Sequence, residues 1–348
     1  MTPATEPLAP PVRGQTRIGG DVRRVLFYGK SMARSACSPA LQSALREHGI
    51  EVRWRNLARW RRWFGRRGAE WLARREFARY RPDLVFVFWR DLPRPLLEDF
   101  RRRARVLSWC EEPLFDLDDA MLDYFALFDV VCMSNPGRFA AMRARGLDNM
   151  LFAMSGFATD FHRPLPPAAP VRDVAFIGTP GLHTSRVEFL ARVAERYDVE
   201  VFGRGWERHA ARFPRLRLGG TVEPPGYARV CATSRIVLGI NEVNDDPYYF
   251  SNRTFLTLAC RGFHLTHYVP RLENVFERGV HLDWFADEDE ALERIAYWLP
   301  RDQERARVAE QGHRLVLARH RYYDRVTQIL DRLRTGRRDE PLLEVERA

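Results

Sequence analysis

Short apolar runs that alternate with helical patterns constrain the fold of this chain more than any other feature of its sequence. The run Asp83–Trp89 (DLVFVFW) is continuously apolar, as expected of a strand buried on both faces of a sheet. Comparable runs occur at Arg24–Tyr28, Ile50–Trp54, Arg105–Trp109, Asp129–Met133 and Leu151–Met154. Because helical patterns separate these runs, the sequence predicts an α/β protein with a doubly wound parallel sheet.

The alternation stops at one segment and then begins again. Residues His162–Pro170 (HRPLPPAAP) carry four prolines and no periodicity, which is typical of a linker. Four further apolar runs follow at Asp173–Ile177, Val199–Phe202, Ile236–Ile240 and Phe263–Thr266. We therefore predict two Rossmann-like domains, at 21–165 and 171–330, with a disordered leader at 1–20 and a tail at 331–348.

The composition argues against several other classes of protein. The five cysteines are scattered and never form a CxxC pair, which disfavours a zinc cluster or a disulfide framework and favours a cytoplasmic location. No apolar run reaches the roughly 18 residues of a membrane span, and no secretory signal is visible. No metal site is predicted, because no pair of histidines has metal-ligand spacing on one helix face.

The segment Tyr249–Tyr268 (YFSNRTFLTLACRGFHLTHY) combines a loop, a short helix and a buried strand. Ser251 or Asn252 can cap the helix with a side-chain oxygen. Arg253 then falls in the first turn, where a cation is poorly placed because the helix N-terminus is already partly positive. A phosphate between the helix end and the guanidinium would resolve this misfit. The alternative is an ordinary capped helix with an exposed Arg.

Several motifs of the second half resemble, in order, those of one known family. They are DVAFIGT (173–179), VFGRGW (201–206), SRIVLGIN (234–241), the block at 251–282, DEDEALERIAYWL (287–299), ERARVAEQG (304–312) and HRYYDRV (320–326). This half resembles GT-B glycosyltransferases of the CgeB-like, or spore-maturation-like, group. The first half fits only in outline, through RVLSWCEEP (105–113) and LFDVVCMSN (127–135).

The resemblance implies two Rossmann-like domains that face a cleft. The second would hold a nucleotide-sugar donor and the first a glycan, lipid or surface-polymer acceptor. No bound metal or cofactor is implied, because a helix N-terminus and cationic side chains would stabilise the departing diphosphate. The implied diphosphate-binding residues are Gly178, Thr179, Ser251, Asn252, Arg253 and Thr254. The implied nucleoside-side residues are Gly203, Gly205, Trp206, Asn241 and Glu242.

One position departs from the family pattern. Many relatives carry Glu about three residues after the motif Arg, where it would hold the ribose hydroxyls, but this chain has Leu256. Glu242 is the nearest substitute. An inverting enzyme also needs a general base in the first domain; Asp91, Glu111 and Glu112 are the candidates. Each could instead balance a nearby Arg, and a retaining enzyme would need no such base.

Most of the net charge of +10 lies between Arg53 and Arg81, where eleven Arg stand against two Glu. This segment could be a solvated basic face, a site for an acidic acceptor, or a peripheral contact with an anionic membrane through its Trp and Phe residues. Nucleic acid fits less well, because no recognised nucleic-acid module is present.

The main rival to an enzyme is a non-catalytic GT-B-like binding or assembly module. A sugar epimerase is disfavoured because a pair of catalytic carboxylates cannot be placed.

Overall fold

Strand β3 (Leu84–Phe88) forms from the continuous apolar run and lies inside a six-stranded sheet. The computed structural model describes residues 21–29, 37–111, 117–166, 168–181 and 185–336. The other elements of this half are β1 (Arg24–Tyr28), α1 (Cys37–Glu47), β2 (Glu51–Arg55), α2 (Leu57–Tyr80), α3 (Arg94–Arg101), β4 (Arg105–Cys110), α4 (Asp119–Phe125), β5 (Val130–Met133), α5 (Phe139–Ala144) and β6 (Met150–Phe152).

The first sheet has the strand order β2-β1-β3-β4-β5-β6, and every neighbouring pair is parallel. β1 pairs with β3 in a register that sets Phe27 opposite Phe86, and their rings stack with centroids 4.6 Å apart. On one face of this sheet, Phe77 of α2 stacks on Phe100 of α3 at 4.3 Å. These buried aromatic contacts explain why the apolar runs read as fully covered strands.

The second half repeats the plan with a second sheet of six parallel strands. Its elements are β7 (Arg172–Ile177), α6 (Ser185–Ala194), β8 (Val199–Phe202), β9 (Arg217–Leu218), α7 (Pro224–Ala232), β10 (Ser234–Gly239), α8 (Arg253–Ala259), β11 (His264–His267), β12 (Asp283–Phe285), α9 (Glu288–Trp298), α10 (Asp302–Arg319) and α11 (Tyr322–Thr335). The fold-class prediction of two Rossmann-like parallel sheets with flanking helices is confirmed. The short strands β9 and β12 were not predicted.

The order of the second sheet is β12-β11-β10-β7-β8-β9. The chain therefore builds outwards from β7 to β9, returns to the centre, and builds in the other direction from β10 to β12. This is the Rossmann strand order, whose direction reverses between β7 and β10. In open parallel sheets, ligands bind beyond the carboxyl ends of the strands at such a switch point.

Contacts among the described residues define two units. The first takes the described residues of 21–29, 49–153 and 328–336, and the second takes those of 37–48 and 154–327. α1 is thus a member of the second unit, and α11 is shared between both. Within the described parts of the chain, no helix combines the length and apolar character required to span a membrane. The predicted leader at 1–20 and most of the predicted tail lie outside the described residues.

Candidate functional site

The Arg253 guanidinium lies at the switch point of the second sheet and joins the ends of its two central strands. Its Nη1 donates to the carbonyl oxygen of Ile177, at the end of β7, over 3.0 Å. Its Nη2 donates to the carbonyl of Ile240, just beyond β10, over 3.0 Å, and its Nε donates to Ser251 Oγ over 2.8 Å. Burial lowers the pKa of Arg253 to about 10, so the group stays cationic at neutral pH.

These bonds use three of the five N–H donors of the guanidinium. Arg253 makes no ion pair with a carboxylate within the described part of the chain, and it packs over the Phe176 ring at 5.0 Å. A half-buried cation with unused donors and no carboxylate partner is suited to a bound anion. The structure therefore places the predicted Arg at the predicted edge of the sheet, although it also ties that Arg to the scaffold.

Two glycines of this edge leave room for neighbouring protein atoms. A Cβ on Gly178 would lie 2.1 Å from Arg253 Nη1, so the missing side chain makes room for the guanidinium. A Cβ on Gly203 would lie 2.2 Å from the Gly178 carbonyl oxygen, and Gly203 has a φ of +146°. The two strand-end turns thus pack directly on each other.

The backbone amides at the start of α8 already have partners. Ser251 N–H donates to Asn241 Oδ1 over 3.0 Å, and Thr254 N–H donates to the Ser251 carbonyl over 3.0 Å. Arg253 N–H donates to Ser251 Oγ over 3.4 Å, while Asn252 stands at the cap position without a side-chain cap bond. The guanidinium, rather than these amides, is therefore the group that retains donors for an anion.

Thr254 and Trp206 are buried in the core and do not present their side chains to a ligand. Thr254 is 1% exposed, and its Oγ1 bonds His264 Nε2 over 3.1 Å. Trp206 is also 1% exposed, and its indole Nε1 donates to the Gly178 carbonyl over 2.8 Å. Both side chains fill the core, and the Trp206 indole supports the glycine turn through this hydrogen bond.

A cavity of about 350 Å³ opens at the carboxyl ends of β10, β11 and β12. Asn241, Glu242, Arg186 and His267 are among the residues that line it, and the first two are those expected on the nucleoside side. Asn241 is buried, and its Oδ1 holds the Ser251 amide. Gly205, by contrast, donates its N–H to Glu207 Oε2 over 3.1 Å and does not line this cavity.

Arg186 is the site residue that the sequence reasoning missed. Its Nη2 donates to Glu242 Oε2 over 2.9 Å, and its Nη1 donates to the Thr179 carbonyl over 3.1 Å. The side chain is 8% exposed, its Nε is buried without a hydrogen-bond partner in the described structure, and burial lowers its pKa. A signal was present, because Arg186, like Arg253, is a cation in the first turn of a helix that follows a strand-end loop.

Two of the candidate bases lie on the first sheet. Asp91 follows β3, and its N–H donates to the Phe88 carbonyl over 3.2 Å. Glu111 directly follows β4, the strand that pairs with β3, and its carbonyl accepts from Ser134 Oγ over 3.2 Å. The two residues therefore follow the carboxyl ends of neighbouring strands of one sheet. Glu112 lies outside the described residues.

Comparison with known proteins supports the same fold. Residues 186–331 match the sequence model of a family described as glycosyl transferase-like. Sucrose-phosphate synthase from Thermosynechococcus elongatus has 12% identity and a TM-score of 0.66 over 88% of this chain and 97% of that one. No curated protein sequence matches the chain.

Two further similar structures were solved with bound UDP and glucose or with UDP-glucose. Anabaena Alr3699/HepE, solved with UDP and glucose, has 13% identity and a TM-score of 0.63 over 89% of this chain and 99% of that one. T4 phage BGT, solved with its UDP-glucose substrate, has 11% identity and a TM-score of 0.60 over 90% and 99%. The chain therefore has the GT-B glycosyltransferase fold, and its residues 186–331 are similar in sequence to the glycosyl transferase-like family.

Proposed function

We propose that this protein is a glycosyltransferase of the CgeB-like group that transfers a sugar from a nucleoside-diphosphate sugar. The observation that carries the proposal is the Arg253 guanidinium at the switch point of the second sheet, with donors unused and no carboxylate paired to it within the described residues. The matching family region contains Arg253, Arg186 and Glu242. Cations at this edge suit the diphosphate of a donor.

The proposed role of Arg253 follows from the chemistry of sugar transfer. When the bond between the anomeric carbon and the diphosphate oxygen breaks, negative charge builds up on the departing diphosphate. A preorganised guanidinium in a half-buried site stabilises that charge more strongly than water does. The chain's own cations, Arg253 and Arg186, would supply this stabilisation, and the proposed transfer is metal-independent.

The nucleoside would occupy the cavity beside this cation. Glu242 replaces the carboxylate that Leu256 does not provide: Leu256 is buried on α8, whereas Glu242 lines the cavity and is held by Arg186. A carboxylate accepts hydrogen bonds only, so it is suited to the hydroxyl groups of a ribose. UDP is the first nucleotide to test, because two of the similar structures were solved with UDP or UDP-glucose.

The acceptor side of the proposal rests on the first sheet. Asp91 or Glu111, at the ends of neighbouring strands, would take the proton of an acceptor hydroxyl, with Glu112 as a third candidate. The proposed acceptor is a glycan, lipid or surface polymer, and the proposed location is the cytoplasm. These assignments extend the resemblance and are separate from the donor site.

Calorimetry with UDP, ADP, GDP and dTDP tests the donor site. We expect one diphosphate to bind, and Arg253→Gln to weaken it on the order of 30-fold, which is the loss of a charged hydrogen-bonding partner. Arg186→Gln should weaken binding less, because Glu242 already shares that cation. Arg212→Gln is the matched control, since the Arg212 side chain is 63% exposed in the same unit and pairs with Glu188 over 3.0 Å, away from the cavity. Absence of binding by every nucleotide would remove the proposal.

The alternative, a non-catalytic module, is favoured by one observation. Arg253 holds the ends of β7 and β10 together, and the nearby amides are paired internally, so the residues also make sense as scaffold. A scaffold Arg predicts that Arg253→Gln lowers the unfolding midpoint while no nucleotide raises it. A donor site predicts that the matching nucleotide stabilises the unmodified protein against unfolding.

A further inference from the structure

Helix α2 displays large aromatic side chains to solvent in the first unit. The exposed fractions are 61% for Trp63, 55% for Phe64 and 56% for Trp71. Soluble proteins usually cover such residues, and a cluster of them marks a surface that contacts something else. These three residues, with the arginines of α2 around them, are called the α2 surface below.

The α2 surface is strongly cationic. The helix holds eight Arg and two Glu. Glu70 pairs with Arg66 and Arg74, and Glu76 pairs with the strand residues Arg53 and Arg55. The arginines of α2 that have no ion pair in the described structure are Arg59, Arg61, Arg62, Arg67, Arg75 and Arg79. The uncompensated charge therefore lies on the same helix as the exposed aromatic rings.

A kink in α2 lies next to Trp63 and Phe64, which have arginines on both sides in the sequence. Gly65 has a φ of 64° and a ψ of 178°, so the helix is kinked there. The sequence around it is RRWFGRR (61–67), which places Trp63 and Phe64 beside the kink with two arginines on each side. Beyond the kink, Arg67, Trp71 and Arg75 recur every four residues and share one face.

The opposite face of α2 anchors the helix to the first unit. Ala69, Ala73 and Phe77 are buried, and they follow the same four-residue spacing. Because this face is packed, the exposed aromatic and cationic residues do not belong to the core of the unit. They form the outer side of a helix whose inner side is already packed.

We propose that the α2 surface docks on a membrane rich in anionic phospholipid, and this inference does not depend on sugar transfer. Trp63, Phe64 and Trp71 would enter the boundary between headgroups and acyl chains, where amphipathic rings are stable. The arginines would contact lipid phosphates, each contributing favourably near an anionic surface. The protein would thus be peripheral: held at a bilayer surface by a helix that lies on it.

The geometry favours a bilayer over single-stranded nucleic acid. Arg59 lies over the Trp63 ring at 4.6 Å and Arg75 lies over the Trp71 ring at 5.1 Å. One face of each ring is therefore covered, which leaves fewer ring faces for bases, and these arginines lie on the outer side of a single helix rather than along a groove. Rings covered by arginine can still insert edge-on beside phosphates, because the cation stays at the level of the headgroups.

Flotation of the full chain with vesicles tests the proposal. One vesicle preparation is phosphatidylcholine alone, and the other mixes phosphatidylcholine with phosphatidylglycerol. We expect the protein to float only with the mixed vesicles, and less so at high salt. Arg61→Gln, Arg62→Gln and Arg67→Gln together should weaken binding on the order of 100-fold, given the contribution of each charge. Trp63→Ser with Phe64→Ser should weaken it about tenfold.

Matched variants test whether binding depends on the α2 surface or only on overall positive charge and exposed apolar area. Arg143→Gln, Arg196→Gln and Arg307→Gln remove the same charge from exposed positions outside α2. Tyr297→Ser with Leu317→Ser removes side chains that are 39% and 43% exposed elsewhere. Neither control should change flotation, and all variants should keep the unfolding midpoint. The proposal is overturned if the controls lose binding equally, if vesicles never bind, or if the α2 variants instead lose binding to a single-stranded oligonucleotide.

Discussion

The two sheets use the same support at their switch points but carry different chemistry there. In the first sheet, Trp54 Nε1 donates to the carbonyl of Gly29, the residue that follows β1, over 3.0 Å. In the second sheet, Trp206 Nε1 donates over 2.8 Å to the carbonyl of Gly178, the residue that follows β7. Among the described residues, a guanidinium bound to the ends of both central strands occurs in the second sheet, where it belongs to Arg253.

The comparison shows that a switch point offers a position for a binding site but does not by itself determine whether a site is present there. An indole that holds the first glycine turn is common to both sheets, so it belongs to the scaffold. The second edge also holds the buried polar side chains of Arg186 and Asn241. Because such groups are costly to bury, their presence at this edge is the feature that marks it as a candidate site.

The largest expected effect concerns the close turns of the second edge. Gly203→Ala should lower the free energy of unfolding by about 3 kcal/mol, because the new Cβ would overlap the Gly178 carbonyl at a φ of +146°. Gly49→Ala in the first unit is the control: its φ is +75°, but nothing lies within 4 Å of the added Cβ. That change should cost about 1 kcal/mol. Urea unfolding measures both, and equal losses would show that the two turns do not pack as described.

A smaller expected effect is that acid destabilises the second unit more than the first. Burial lowers the pKa of His162 to about 4 and that of His264 to about 3, and both lie in the second unit. Between the ordinary His pKa and these values the unfolded chain binds protons that the folded chain does not, so stability falls as the pH falls. The described residues of the first unit contain no His.

His162→Leu isolates one of these groups, because His162 Nδ1 is buried without a hydrogen-bond partner in the described structure. At neutral pH the substitution should change the unfolding free energy little. At pH about 5, the unmodified protein should have lost about 2 kcal/mol to this one residue, and the variant should not. Urea unfolding at both pH values is the measurement; parallel pH profiles for the two proteins would contradict the prediction.

The sequence predicts the fold well and the site only in part. The strands β3 and β7 can be predicted from their apolar runs, because strands buried on both faces need continuous apolar residues. Arg253 could be predicted as a site residue, because a cation is unfavourable in the first turn of a helix unless an anion lies nearby. The contact between Gly203 and Gly178, which lie 25 residues apart, depends on tertiary packing that no local pattern encodes. For the same reason, nothing local distinguishes Trp206 as a buried support from a ligand-facing ring.

The smallest effect compares the two indoles directly. Trp206→Phe and Trp54→Phe each remove one indole hydrogen bond to a glycine carbonyl, so each should cost about 1 kcal/mol of stability. Only Trp206→Phe should also weaken nucleoside-diphosphate binding, about threefold, because the freed Gly178 turn no longer fixes the neighbouring Arg253 guanidinium. Urea unfolding and calorimetry on the same two variants separate these effects. If Trp54→Phe weakened nucleotide binding to the same degree, the contrast between a plain scaffold edge and a functional edge would be wrong.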